Sequence, residues 1–167
     1  MINVLFLCTH NSARSVLAEA LLRHLGAGRF AAWSAGSQPR AQQQPHPLAL
    51  QALERAGIAT QGLRSKSWDE FAGPQAPHMD LIITVCDNAA GEVCPIWPGH
   101  PASAHWGYPD PSAATGSEAE RLAAFERTLH AIGQRIEQLV QLPPEQLQPG
   151  ALQAAARALA QTPGREA

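Results

Sequence analysis

Cys8 and Arg14 are separated by five residues, Thr9-His10-Asn11-Ser12-Ala13, and Ser15 follows directly. The thiolate form of cysteine is a strong nucleophile, and its pKa falls from about 8.5 to about 3.5–7.5 beside a cation or a helix N-terminus. Both supports are close at hand. Arg14 carries a planar fork of donors suited to a tetrahedral oxyanion, and the residues after it have helical periodicity. The loop between them can turn successive backbone N–H groups toward an anion. Ser12 and Ser15 offer hydroxyls to the sulfur, and Asn11 tolerates the left-handed conformation that a tight loop needs. This set could attack a bound tetrahedral oxyanion. The plainer account is a buried cysteine at a strand end with a surface arginine nearby.

Two more cysteines bear on the chemistry. Cys86 follows the apolar run Leu81-Ile82-Ile83-Thr84-Val85, and Cys94 lies beyond Ala89-Ala90-Gly91 and before Pro95. Thiol–disulfide exchange requires one sulfur to reach another, and this separation lets a flexible segment fold back. The alternatives are an inert core thiol for Cys86 and a surface thiol for Cys94. The cysteines lack C-x2-C spacing and have no histidines beside them in a ligand pattern, which argues against structural zinc. Asp110-Pro111-Ser112 is turn chemistry.

The elements that must position these residues alternate. Apolar runs at 2–7, 30–35, 80–85 and 102–106 predict strands, the first of them buried and parallel. Val16, Leu17, Ala20, Leu21 and Leu25 predict a helix over 15–26, closed by Gly26 and Gly28. Pro47 opens a second helix with Ala49, Ala52, Leu53 and Ala56 on its inner face, ending at Gly57. Gln38 to Pro47 is a loop, and Ser67 or Asp69 opens a short helical turn. Ser117 and Glu120 form a capping box ahead of a helix whose face is Leu122, Phe125, Leu129, Ile132, Ile136 and Leu139. Pro143-Pro144 stops it. The expected fold is therefore α/β: a single-domain open parallel four-stranded sheet flanked by helices, spanning 1–142. Residues 143–167 form a helical extension whose inner face carries Leu147, Leu152, Ala155, Ala156 and Leu159, and its last six residues fray. In such sheets ligands bind at the carboxyl ends of the strands, where Cys8, Cys86 and Asp110 should meet.

The segment Cys8-Thr9-His10-Asn11-Ser12-Ala13-Arg14-Ser15 resembles the phosphate loop of low-molecular-weight protein tyrosine phosphatases, and most closely that of the arsenate reductases built on the same fold. Trp33-Ser34-Ala35-Gly36 resembles the family's second strand and its serine-alanine-glycine turn. Thr84-Val85-Cys86 with Cys94-Pro95 resembles the reductases' redox segment, and His105-Trp106-Gly107-Tyr108-Pro109-Asp110-Pro111 their acid loop. The resemblance implies that Cys8 attacks the oxyanion, Arg14 binds it, Ser15 supports the thiolate and Asp110 protonates the leaving oxygen. It implies a Cys8/Cys86/Cys94 disulfide relay, with arsenate as substrate and no tightly bound cofactor. An external thiol reductant follows from it: thioredoxin, or glutaredoxin with glutathione. In some reductases a potassium ion sits behind the loop, a site that maps here onto Asn11, Glu19 and Ser34, with no acidic ligand evident near Ser65-Lys66-Ser67. Ala13 stands where many relatives carry a second loop cysteine, and Pro109 replaces the first of two acid-loop aspartates.

The remaining features set bounds. At 167 residues with a formal net charge of −2, the chain fits one domain and lacks the basic balance of a nucleic-acid binder. No leader or long apolar stretch is evident, so a cytoplasmic, membrane-free protein is expected, with transient disulfides. His10 reads as a variable loop position, and His46 and His100 as loop residues. Trp68, Trp97 and Trp106 read as packing anchors, Trp106 also as a rim of the site. Arg64 and Lys66 read as a solvated turn, and Glu19 as a helix-face carboxylate. Two competing functions remain: a low-molecular-weight phosphatase, against which Ser112-Ala113-Ala114 supplies no aromatic pocket, and a non-enzymatic As(III)-binding sensor, which leaves Arg14 and Asp110 unexplained.

Overall fold

The computed structural model describes residues 1–39, 44–87 and 102–161. Four parallel strands form one sheet: β1 (Ile2–Cys8), β2 (Phe30–Gly36), β3 (Leu81–Thr84) and β4 (Ser103–His105), in the spatial order β2-β1-β3-β4. Four helices accompany it: α1 (Arg14–Leu25), α2 (Pro47–Arg55), α3 (Glu118–Val140) and α4 (Pro149–Leu159). The fold is the expected open α/β sheet. β2 extends through Gly36, so Ser34-Ala35-Gly36 completes a strand where a turn was expected.

Strand alternation separates two apolar layers. Val4, Phe6, Leu81, Ile83 and Ala104 join buried residues of all four helices in the main core. Leu5, Leu7, Ala35 and Ile82 face the other way, onto Met79 and the partly buried Trp33, Trp68 and Phe71. The short 3-10 helix Trp68–Phe71 that covers this face starts at Ser67, whose side chain caps Asp69. β1 is apolar on both faces because it is a central strand of a sheet covered on both sides.

The helices keep their predicted faces except at their ends: Leu25, the last residue of α1, is exposed. In α2, Leu48, Ala49, Ala52 and Leu53 are buried while Ala56, already past the helix end, is exposed. His46, expected in a loop, is the α2 N-cap: its ring nitrogen accepts from Leu48 N at 3.1 Å, and its ring packs on Phe125. The capping box of α3 is complete, with both Ser117–Glu120 bonds formed. All six predicted inner residues of α3 are buried.

α4 packs into the main core through Leu152, Ala156 and Leu159. Trp106 fixes it there. Its indole is fully buried, tilted against Phe6, and donates Nε1–H to the Ala156 carbonyl at 2.9 Å. Trp106 thus ties α4 to the sheet rather than lining the site. Leu152→Ala removes a side chain with no exposed surface, and is expected to cost about 2–5 kcal/mol. Urea unfolding should show this as a lower midpoint of one cooperative transition with an unchanged slope.

Candidate active site

Parallel pairing brings the chemistry to one end of the sheet. Cys8 ends β1 opposite Gly36 of β2, and Leu7 pairs with Thr84 of β3. Cys86 therefore follows just past the end of the strand beside Cys8. The acid segment returns to the same edge: a Cβ added at Gly107 would come within 3.4 Å of the Cys86 carbonyl. Cys8, Cys86 and the loop leading to Asp110 are gathered as expected.

Among the described residues Asn11 is the one non-glycine with positive φ, at 50°. This left-handed turn brings its backbone N–H to the Cys8 sulfur at 3.2 Å. The loop carbonyls are drawn outward. Gln38 N donates to Thr9 O at 2.8 Å, the Ser65 hydroxyl to His10 O at 2.8 Å, and His46 N to Ser12 O at 2.8 Å. A loop held in this way presents its N–H edge inward, as an anion nest does. α1 begins directly after Ala13, which has no side chain to cap it, and carries no acid in its first turn. Its N-terminal amide groups and dipole therefore remain directed at the loop. His10 is exposed, with its ring Nδ1 3.0 Å from the Gln38 carbonyl oxygen.

The side chains behind the loop form a directed network. Asn11 Oδ1 accepts from Lys66 N–H at 2.9 Å, so the carboxamide orientation is set by an obligate donor. Its Nδ2 then donates to Ser15 Oγ at 2.8 Å and to Ser34 Oγ at 2.9 Å. Both serine oxygens accept from Asn11, so each hydroxyl proton points onward. Ser34 donates to Glu19 Oε1 at 2.5 Å. Ser15 Oγ lies 2.8 Å from Cys8 Sγ, and toward the thiolate, the form that acts as nucleophile, the hydroxyl is the donor. Two donors, Asn11 N–H and Ser15 O–H, thus face the sulfur of a free, buried Cys8.

Arg14 is 4% exposed. Its Nη1 donates to the Tyr108 carbonyl at 3.1 Å, and its Nη2 lies 3.9 Å from Asp110 Oδ2. The other Asp110 oxygen accepts from the backbone and hydroxyl of Ser112, at 3.0 and 2.7 Å. This leaves Oδ2 toward Arg14 on a side chain 38% exposed. A carboxyl beside the oxyanion arginine, with access to solvent, is placed to hand a proton to a leaving oxygen. Burial pushes the Tyr108 phenol up to about 12, so it stays protonated. Arg135 of α3 stacks on the Tyr108 ring, 5.1 Å from its centroid.

Two expectations are overturned. Lys66 is 5% exposed rather than solvated, because residues 65–67 run alongside β2. The Gly36–Ser67 bridge and the Gly36 N–H bond to Lys66 O hold that alignment. Glu19 is 2% exposed rather than on an open helix face; it bonds Arg23 and lies 3.7 Å from the Lys66 ammonium. Burial pushes the Lys66 ammonium below its ordinary range, against the pull of Glu19. Arg64 does lie near the surface, in a two-pronged bond to Glu70 that raises the guanidinium and lowers the carboxyl. Neither Lys66 nor the carbonyl of Tyr108 stood out as a site feature in the sequence. The lone clue to Lys66 was a cation flanked by two serines.

Cys86 is fully buried and disulfide-bonded. Cys94, expected to exchange with it, lies outside the described residues, as do His100 and Trp97. Among the described residues no three His, Cys, Asp or Glu side chains are grouped to hold a metal ion.

Residues 3–150 match the model of the low molecular weight phosphotyrosine protein phosphatase family. An arsenate reductase of Bacillus licheniformis is 37% identical over 140 residues, covering 83% of this chain and 94% of that protein. The solved arsenate reductase of Archaeoglobus fulgidus superposes with a TM-score of 0.66 at 27% identity, over 83% of this chain and 99% of that one. A thioredoxin-dependent arsenate reductase of Corynebacterium glutamicum superposes at 0.52 and 27% identity, over 84% of this chain and 64% of that one.

Gly36 is the tightest point of the site. A Cβ there would lie 2.6 Å from Thr9 O and 2.9 Å from Asn11 N, both backbone atoms of the loop. Gly36→Ala must shift the loop. Because misplacement by about 1 Å can cost about a hundredfold in rate, the variant is expected to retain its fold by circular dichroism while losing inorganic phosphate binding in calorimetry.

Proposed function

This chain belongs to the low molecular weight phosphotyrosine protein phosphatase family, and from that premise we propose that it reduces arsenate to arsenite through a three-cysteine relay. The observation that carries the proposal is the second thiol position. Cys86 follows the end of the strand next to Cys8, fully buried, and it is disulfide-bonded while Cys8 is free. A hydrolytic phosphatase needs one cysteine and an acid; it has no use for a redox sulfur at that place. The arsenate reductases among its relatives support the same substrate.

The Cys8 thiolate attacks arsenic in an arsenate held by the loop N–H groups and Arg14. Asp110 gives its proton to the departing oxygen, which leaves as water, and a Cys8–As(V) thioester remains. A thiol of Cys86 loses its proton and attacks Cys8 Sγ. The S–As bond breaks, its electron pair stays on arsenic, and As(V) becomes As(III), released as arsenite. Cys94 then attacks Cys86 Sγ, forming Cys86–Cys94 and expelling the Cys8 thiolate. A dithiol reductant restores both cysteines. Each turnover consumes one arsenate, two electrons and two protons and yields arsenite and water.

Free Cys8 with oxidised Cys86 corresponds to the last state before external reduction. Thioredoxin is the proposed reductant, in line with the thioredoxin-dependent relative; glutaredoxin with glutathione is the alternative. Such a cycle belongs in the cytoplasm, where reductant keeps thiols open. No helix among the described residues is long and apolar enough to cross a membrane. The phosphatase reading keeps one observation in its favour: Cys8, Arg14 and Asp110, the groups that hydrolysis of a phosphate ester would need, lie at one edge of the sheet. A three-thiol As(III) sensor would leave the buried Arg14 and its pairing with Asp110 without purpose.

Reduced protein incubated with arsenate, quenched and mapped by mass spectrometry is expected to show Cys86–Cys94 in the parent and a trapped Cys8–Cys86 bond in Cys94→Ser. Cys86→Ser should abolish arsenite formation while leaving hydrolysis of p-nitrophenyl phosphate intact. Arsenite formation that survives both substitutions would remove the relay. Asp110→Asn should slow both reactions by about 10²–10⁴-fold, the range for a positioned general acid. Clearance of the Cys86–Cys94 bond by thioredoxin, and not by glutaredoxin with glutathione, would identify the reductant.

A further inference from the structure

The resemblance places a potassium ion behind the loop, on Asn11, Glu19 and Ser34. The arrangement of these residues does not fit one. Asn11 turns its Nδ2, a donor, toward Ser34 and Ser15, and its Oδ1 is held by the Lys66 N–H. The Ser34 hydroxyl proton is directed to Glu19 Oε1. That same carboxylate oxygen lies 3.7 Å from the Lys66 ammonium, which also donates to the Arg64 carbonyl at 3.0 Å. Glu19 Oε2 is bonded to Arg23. One carboxylate therefore faces two cations, and a third would be repelled from a region where Glu19 and Lys66 are almost wholly buried.

We propose that the Lys66 ammonium is the resident cation of this site, a positioning residue that replaces a bound monovalent ion behind the anion loop. It acts at two points. Its ammonium faces Glu19 Oε1, the oxygen that accepts from Ser34, so that Ser34 Oγ keeps its lone pair for Asn11. Its backbone N–H fixes the other end of the Asn11 carboxamide. Asn11 is then locked from both sides, with its Nδ2 on Ser15 Oγ, which lies 2.8 Å from the Cys8 sulfur. Covalent attachment makes this cation independent of the ions in solution. The proposal rests on the loop's binding a tetrahedral oxyanion, and not on which oxyanion it reduces.

The unmodified protein supplies the first test. Inorganic phosphate binding by calorimetry, and arsenate turnover, are measured at equal ionic strength in potassium, sodium and tetramethylammonium chloride. Neither is expected to change with the cation; potassium-specific tightening of phosphate binding would overturn the proposal. The second test removes the charge. Lys66→Met keeps the buried stem, and should weaken phosphate binding and slow iodoacetamide alkylation of Cys8 by about 10–100-fold, the scale on which outer supports of a site act. Unchanged binding and alkylation in this variant would overturn it as well. Lys66→Ala opens space beside Glu19, and methylammonium or potassium, but not tetramethylammonium, should restore phosphate binding and Cys8 alkylation. A role confined to stability would lower the melting temperature without cation-specific recovery, and that result counts against the proposal. If the phosphate and alkylation results hold while the unmodified protein forms no arsenite, it is the arsenate reading that falls.

Discussion

The Asn11 carboxamide decides the direction of every hydrogen bond behind the active loop. One backbone donor, the N–H of Lys66, fixes its oxygen. From that point the remaining groups have no choice. The carboxamide nitrogen donates twice, the two serines pass their protons on, and one of those protons faces the Cys8 sulfur while the other faces Glu19. Flipping the carboxamide would set its Nδ2 donors against the Lys66 N–H in the buried interior, at about 1–3 kcal/mol per unsatisfied group. The polarity of the thiol's surroundings is therefore a consequence of main-chain placement, set by where residues 65–67 run beside β2.

That placement depends on the sheet. Parallel strands end on the same side, so a single register puts Cys8, Gly36 and Thr84 at one edge. The loop can close over β2 only because Gly36 lacks a Cβ. The 65–67 segment then joins the same glycine from its other side through the bond from Gly36 N–H to Lys66 O. Glycine here serves close approach rather than an unusual backbone angle. The larger core holds the far end: α3 stacks Arg135 on Tyr108, whose carbonyl orients Arg14. Packing within α3 and chemistry at Arg14 are thus two residues apart.

The parts of this molecule that were legible in advance are those that local rules dictate. The periodicity of α3, the Ser117–Glu120 capping box and the apolar runs of β1 and β3 each reflect a preference satisfied within a few residues. So does the cysteine-to-arginine loop, whose nucleophile, donors and helix are contiguous. Lys66 and Glu19 were misjudged because 47 positions separate them in the chain, and nothing near either one reveals its partner. A lysine between two serines has the composition of a solvated turn. Only the pairing of that turn with β2 turns it into a buried cation. Trp106 is the packing anchor its sequence suggests, but its tie to α4 is not legible locally, because its partner carbonyl, at Ala156, lies on a helix fifty residues later.

What separates the two reactions open to such a loop is which atom is attacked second. The loop, Arg14 and Asp110 act alike on phosphate and arsenate up to the covalent adduct, since both are tetrahedral oxyanions with an oxygen to protonate. Hydrolysis needs water to reach the central atom. Reduction needs a thiol to reach the sulfur instead, and an element that accepts the electron pair of the broken bond, which As(V) does and P(V) does not. Cys8 is 3% exposed and Cys86 is fully buried at the neighbouring strand end. In the proposed relay a reduced Cys86 would act from the end of the strand beside the one that carries Cys8. On the proposed relay, the β1–β3 register sets sulfur, rather than the central atom, as the second centre of attack, and the choice between phosphatase and reductase chemistry would lie in the strand beside the loop rather than in the loop.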